Sequence, residues 1–358
     1  MSRRTSLVGL GAALVAAGAG TAIGLAAERW TMKRATSGQT DPDIGLLVGD
    51  VRPVTAADGT QLHVEVDDLP DTPLTVVFSH GYCLSRRSWH FQRQALRGRY
   101  RMVFWDQRGH GLSDAGPAGS CTVDQCGRDL ESVLDAVVPT GPVVLVGHSM
   151  GGMTIMALAV HAPALVRERV AGVALVSTSA GGLANVSWGL RGHLGTVAHK
   201  VVPAAVAGLA RVPRLIDRSR RIGSDFQQVV VQRYSFASPV PEAVARFTAE
   251  MIASTPIDVV AEYLPTFDLH DKHDALAALD GIETLVLSGT DDLLTPPEHS
   301  EEIVRRLPGA EQVLVPDAGH LVMLEHPEVV TEAIEDLLRR AERAVTGTGK
   351  RSRRKRSA

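Results

Sequence analysis

Aromatic residues are scarce in this chain, at 4% of 358 residues, so its core must be built mainly from Ala, Val, Leu and Ile. Cysteine is scarcer still. Cys83, Cys121 and Cys126 are too few and too irregularly spaced for a disulfide framework, and the odd count leaves at least one free thiol. No Cys/His spacing resembles a zinc site, so no structural metal is expected. The formal net charge of −3 gives no strong overall attraction to nucleic acid, and no nucleic-acid partner is expected. Internal repeats are absent, and low-complexity sequence is confined to the termini. What remains is an ordinary globular composition, 44% hydrophobic and 22% charged, with room for one large domain and appendages.

The appendages lie at the ends. Residues 7–27 form an uncharged run of 21 residues that follows Arg3-Arg4 and stops at Glu28-Arg29. It is long enough to span a bilayer, but eight Ala and five Gly leave the insertion drive to seven Leu, Val and Ile, at roughly −0.3 to −0.6 kcal/mol each. Residues 1–30 are therefore expected to be a transmembrane signal anchor, with a cleaved signal peptide or a buried helix as alternatives. The body of the protein would then be membrane-associated and extracytoplasmic, or secreted after cleavage. Residues 31–50 are polar and read as a linker. At the other end six of the last nine residues are Lys or Arg, so 347–358 reads as a basic, solvated tail.

Between the ends, short apolar runs alternate with helical periodicity. Leu62–Val66 alternates like a half-exposed strand after an Asp58-Gly59 turn. Leu74–Phe78, Met102–Trp105, Val143–Val146, Val173–Val176, Leu285–Leu287 and Val313–Val315 are unbroken, as suits strands buried on both faces. Helices are expected over Val123–Val138, Met150–His161 and from Pro327 to about Val345. The last carries Val330, Ile334, Leu337, Leu338 and Ala341 at helical spacing. The pattern implies an α/β fold, a mostly parallel sheet of about eight strands flanked by helices, spanning 51–180 and 281–346. It breaks over 181–280, which reads as an inserted helical cap. There Trp188, Phe226, Tyr234, Phe236, Tyr263 and Phe267 are candidates to line a substrate pocket or to pack among cap helices.

The chemistry-bearing motif is Val143-Val144-Leu145-Val146-Gly147-His148-Ser149-Met150-Gly151-Gly152, a buried strand entering G-x-S-x-G and then a helix. Gly147 and Gly151 remove Cβ atoms that would clash in the sharp turn needed to present the Ser149 hydroxyl above the sheet edge. A serine nucleophile needs a base and a carboxylate that orients it. His320 follows the last buried strand in Pro316-Asp317-Ala318-Gly319-His320, and Asp291 or Asp292 follows the strand before it. The 28 residues from Asp292 to His320 hold one helix and one strand, returning the chain to the rim that carries Ser149.

In this order, Ser149 then Asp292 then His320, residues 50–345 resemble the α/β-hydrolase superfamily. The resemblance favours Asp292, which fits G-x-x-D counted from Gly289. It further implies a backbone oxyanion hole made by the N–H groups of Tyr82, in Phe78-Ser79-His80-Gly81-Tyr82-Cys83, and Met150. Each such donor is worth about 3 to 4 kcal/mol of transition-state stabilisation. Asp106-Gln107-Arg108-Gly109-His110-Gly111-Leu112-Ser113 resembles the family's D-x-R-G-x-G-x-S turn and reads as scaffold, with His110 a weak rival to His320. His80 reads as structural and Cys83 as lining the entrance. The cluster Asp268, His270, Asp271, His273 and Asp274 has metal-like composition, but reads as a solvated helix leaving the cap. The expected activity is cofactor-free serine hydrolysis of an ester or related acyl bond in an apolar, small or lipid-like substrate. Thioesterase, perhydrolase and carbon–carbon hydrolase chemistry remain open, as does a non-catalytic binder on the same fold. Oligomeric state is unread.

Overall fold

The computed structural model describes residues 43–186 and 231–347. The apolar segment 7–27, the basic tail from 348 and residues 187–230 of the expected cap lie outside them. The chain runs β1 (Asp50–Val51), β2 (Val54–Thr55), β3 (Gln61–Leu62), β4 (Val64–Asp67), β5 (Thr75–Ser79), α1 (His90–Leu96), β6 (Arg101–Trp105), α2 (Val123–Val137), β7 (Val143–His148), α3 (Met150–His161), α4 (Pro163–Arg169) and β8 (Val170–Val176). After the break come α5 (Glu242–Ser254), α6 (Ile257–Asp268), β9 (Glu283–Gly289), α7 (Pro297–Arg306), β10 (Glu311–Val315), α8 (Val322–Glu325) and α9 (Pro327–Val345).

Eight strands form one sheet in the order β1-β4-β6-β5-β7-β8-β9-β10, and β2 pairs with β3 apart from it. From β6 to β10 every pairing is parallel, while β1 and β4 are antiparallel additions at one edge. The strand order reverses beside β5, whose neighbours are β6 and β7. Loops leaving β5 and β7 therefore diverge and open a crevice at the carboxyl edge, where ligands bind in such sheets.

Side-chain alternation divides the core between the two faces. Val76, Phe78, Phe104, Val144, Val146, Val176, Leu285 and Leu287 point to the face covered by α9. Val77, Val103, Trp105, Leu145, Val173, Leu175 and Val286 point to the face covered by α2 and α3. Val330, Ile334, Leu337 and Leu338 on α9 are fully buried, each worth roughly 1.5–3 kcal/mol. Thr122 caps α2, its hydroxyl accepting the Gln125 N–H at 3.1 Å. Among the described residues no single helix is long and apolar enough to cross a membrane. The pair α3 and α4 passes that test together only with a 106° bend, and α3 is core.

Three expectations need correction. Leu62–Val66 is not one half-exposed strand: it breaks at His63, and β4 is buried along its whole length. The reason is charge pairing. Glu65 receives Arg86 Nε at 2.7 Å and Arg93 Nη1 at 2.6 Å, and Asp67 receives Arg93 Nε and Nη2 at 2.8 and 2.7 Å, so polar residues occupy interior positions. Burial alone would raise the Glu65 carboxyl, but bonds from His63, Arg86 and Arg93 hold it well below the usual range. The end of the supposed linker is also fixed. Gly45 N–H donates to His90 Nδ1 at 3.0 Å, Arg87 Nε donates to Gly45 O at 2.7 Å, and Asp50–Val51 joins the sheet as β1. Finally, β10 is an edge strand and mostly exposed rather than doubly buried.

The Arg108 side chain is completely buried and is held by Asp129 through two bonds of 2.6 Å, with Asp58 at 3.0 Å and Ser120 at 2.7 Å. Asp129→Ala strips the guanidinium of its main partner. Urea unfolding should show a loss of about 3–5 kcal/mol; a loss below about 1 kcal/mol would mean that Asp58 and Ser120 suffice.

Candidate active site

Ser149 sits between β7 and α3 with φ 51° and ψ −116°, a conformation that a non-glycine residue holds only when its surroundings enforce it. The surroundings are backbone. A Cβ on Gly151 would lie 2.2 Å from Ser79 O, and one on Gly147 would lie 2.5 Å from the Gly151 carbonyl. The start of α3 thus rests directly on the end of β5. Ser149 N–H donates to Val176 O at 2.9 Å, and Thr178 Oγ donates to Ser149 O at 2.7 Å, tying the turn to β8 and its following loop.

His320 and Asp292 reach the same point from loops after β10 and β9. His320 Nε2 is 2.9 Å from Ser149 Oγ, and His320 Nδ1 is 2.8 Å from Asp292 Oδ2. Asp292 is buried and saturated: Oδ1 accepts the N–H groups of Leu294 and Thr295 at 2.8 and 2.9 Å, and Oδ2 also accepts Thr295 Oγ–H at 2.8 Å. Burial raises its carboxyl, but His320 and the Thr295 bonds outweigh this and hold it below the ordinary aspartate value, so it is an anion. Asp291 is exposed, and its carboxylate accepts the Thr290 hydroxyl at 2.7 Å.

Tyr82 lies in the turn after β5 and Met150 is the first residue of α3; neither backbone N–H donates to an acceptor among the described residues. The Tyr82 turn is braced by two neutral histidines. His110 Nε2 accepts the Cys83 N–H at 3.1 Å while its Nδ1 donates to Arg108 O at 3.0 Å. His80 Nδ1 donates to Gly81 O at 2.7 Å and its Nε2 accepts the Gln107 N–H at 2.9 Å. Burial pushes His80 down to about 4, and burial with nearby His80 pushes His110 down to about 3. Both are structural braces, and His110 is bound into the Arg108 turn.

An apolar cavity of about 350 Å³ opens onto Ser149 and His320. Leu84, Met153, Ile252, Leu264, Phe267 and Leu321 form much of its wall. Of the aromatic candidates, Tyr234 and Phe267 line it. Phe236 packs into the core. Tyr263 is buried against Cys126 and donates to Arg108 O at 3.1 Å. Trp188 and Phe226 lie outside the described residues. The Asp268–Asp274 segment is no continuous polar helix: α6 ends at Asp268, Asp271 bridges Gly181, and buried His270 bonds Ser179 O at 3.1 Å. No group of His, Cys, Asp and Glu among the described residues is arranged to hold a metal ion.

Two residues that shape the site were not singled out from sequence. Thr295 orients Asp292, and a threonine three positions after an acid carries no distinctive pattern. His148, inside the serine motif, donates from Nε2 to His320 O at 2.9 Å and is pushed down to about 3 by burial and by nearby His320.

The α/β-hydrolase fold family matches residues 75–327, well over half of the chain, and the chain belongs to that family. It is similar to 3-oxoadipate enol-lactonase 1 of Acinetobacter baylyi, at 26% identity over 77% of this chain and 92% of that protein. It is also similar to the sn-1-specific diacylglycerol lipase ABHD11 of Mus musculus, at 27% identity over 87% of this chain and 98% of that protein. Among solved structures, a thermophilic esterase from Thermogutta terrifontis matches at 28% identity with a TM-score of 0.64, over 82% of this chain and all of that one.

Cys83 lines the cavity, yet burial pushes its thiol up to about 12, so at neutral pH it is a thiol and a poor nucleophile. Iodoacetamide at about pH 7.5 should leave Cys83 of the native protein unalkylated after an hour, read by peptide mass spectrometry. Rapid alkylation at Cys83 would contradict this.

Proposed function

We propose that this α/β-hydrolase cleaves carboxylic esters through an acyl-enzyme on Ser149. The observation that carries the reading is the unbroken chain Asp292–His320–Ser149, with bonds of 2.8 and 2.9 Å. With Asp292 anionic, His320 Nδ1 carries the proton that donates to it, which leaves Nε2 free to accept from the serine hydroxyl. Ser149 Oγ attacks the ester carbonyl as Nε2 takes its proton. The developing oxyanion draws on the Tyr82 and Met150 N–H groups, reinforced by the N-terminal end of α3. The proton on Nε2 then passes to the leaving alkoxide, and a water activated by the same nitrogen releases the acid.

Substrate preference follows from the cavity wall. Among the described lining residues the aliphatic and aromatic side chains dominate, and Asp268 is the one acidic residue. A neutral, apolar acyl group fits such a wall, and an acyl group ending in a carboxylate would meet the Asp268 carboxylate and apolar side chains among the described residues. The relative named as a diacylglycerol lipase agrees with an apolar ester, and the one named as an esterase agrees with ester cleavage.

Hydrolysis of p-nitrophenyl butyrate and of the p-nitrophenyl hemiester of succinate by the full chain tests this. The butyrate should be preferred at least tenfold in kcat/KM. Ser149→Ala should lower kcat on the order of 10⁴-fold or more, and Asp292→Asn by about 10³ to 10⁴. Turnover by Ser149→Ala at the unaltered rate would sink the mechanism, and equal rates on the two esters would remove the substrate argument.

A further inference from the structure

Glu325 closes the short helix α8, five residues beyond His320. Its carboxylate gathers four donors from two separate segments. Oε2 accepts the Gly319 N–H at 2.6 Å, next to the histidine. Oε1 accepts the Ala237 N–H at 2.9 Å, the Ser238 N–H at 2.5 Å and the Ser238 hydroxyl at 2.7 Å. Bonds to an ionised acceptor are the strong class, and here both oxygens are engaged.

The two segments touch along their length. Leu321 N–H donates to Ser235 O at 2.8 Å, and a Cβ on Gly319 would lie 2.8 Å from Ala237 N and 2.9 Å from the Phe236 backbone. Residues 231–235 are helical, and Val231, Tyr234 and Ser235 belong to the cavity wall, as does Leu321. On its opposite side the histidine loop is pinned to the acid loop: Asp291 N–H donates to Ala318 O at 3.0 Å and Asp317 N–H to Thr290 Oγ at 3.1 Å. The loop carrying His320 therefore hangs between a core-side attachment and a cap-side one, and Glu325 makes most of the latter.

We propose that Glu325 is a positioning residue that fastens residues 235–238, which continue from the cavity wall formed by Val231, Tyr234 and Ser235, to the His320 loop, so that the base holds its angle toward Ser149 only while that segment is seated. A catalytic imidazole loses efficiency with small misplacements, so loosening one attachment acts on turnover rather than on binding of a small ester. The proposal rests on the serine-hydrolase reading above for its kinetic arm, but the fastening itself is a property of the fold.

Glu325→Gln keeps the shape and leaves one acceptor oxygen in place of two, so its amide group faces an N–H on one side whichever way it is turned. Two readouts are taken on the full chain, steady-state hydrolysis of p-nitrophenyl acetate and amide hydrogen exchange by mass spectrometry. The expected result is a fall in kcat of about tenfold with KM within twofold, and faster exchange in peptides covering 236–238 and 319–321 together, with the rest of the sheet unchanged. An unchanged kcat, whatever the exchange shows, overturns the positioning role, as does a change in KM alone; exchange that rises in one segment only overturns the fastening. If Glu325→Gln does not fold, Ser238→Ala removes one of the four donors, and kcat should then fall two- to threefold with the same paired exchange. Unchanged kcat in that variant overturns the proposal. A wild-type protein that hydrolyses no ester would contradict the hydrolase reading instead, and the exchange result alone would then decide whether the two segments are fastened.

Discussion

The contact of the α3 backbone with the end of β5 is the constraint on which the site depends. Gly151 approaches Ser79 O so closely that no side chain fits between them, and Gly147 approaches the Gly151 carbonyl in the same way. Because the two elements meet there, the turn between β7 and α3 has no relaxed path, and Ser149 takes φ 51°. The same contact brings the first N–H of α3 and the turn after β5 to one rim of the sheet. A strained serine turn and two N–H groups without an acceptor among the described residues are thus a single consequence of tight helix–strand packing at a topological switch point.

Histidine is used around this rim in two ways, set by partners rather than by residue type. His80, His110 and His148 are buried without a carboxylate bond, and burial drives each toward the neutral form, in which one ring nitrogen donates while the other is free to accept. They brace the Tyr82 turn, the Arg108 turn and the His320 carbonyl. His320 alone of these four bonds a carboxylate, and that carboxylate is saturated by Thr295 and Leu294. The division fits a reaction in which one imidazole must gain and release a proton while its neighbours keep their geometry.

Most of the framework was legible in the sequence because it rests on short-range rules. Unbroken apolar runs marked β5 to β9, helical periodicity marked α2, α3 and α9, and glycine spacing marked the turn at Ser149. Position along the chain separated His320 from 12 other histidines, since it follows the last strand and the acid loop, on the rim that carries Ser149. What escaped reading depends on partners distant in sequence. Glu65 and Asp67 are interior because Arg86 and Arg93 reach them from another segment, and alternation alone places them outside. Phe236 and Tyr263 differ from Tyr234 and Phe267 only in which way the fold turns them, a distinction that composition does not carry. Thr295 and Glu325 act through hydrogen bonds that no spacing pattern announces.

The most direct test of the account is a crystal structure of the protein after reaction with a small dialkyl phosphate inhibitor such as paraoxon. The account predicts a phosphoryl group bonded to Ser149 Oγ, its free oxygen 2.7–3.1 Å from both the Tyr82 and Met150 nitrogens, with alkyl groups in the apolar cavity. A phosphoryl group on another residue, or an oxygen turned away from both N–H groups, would contradict it.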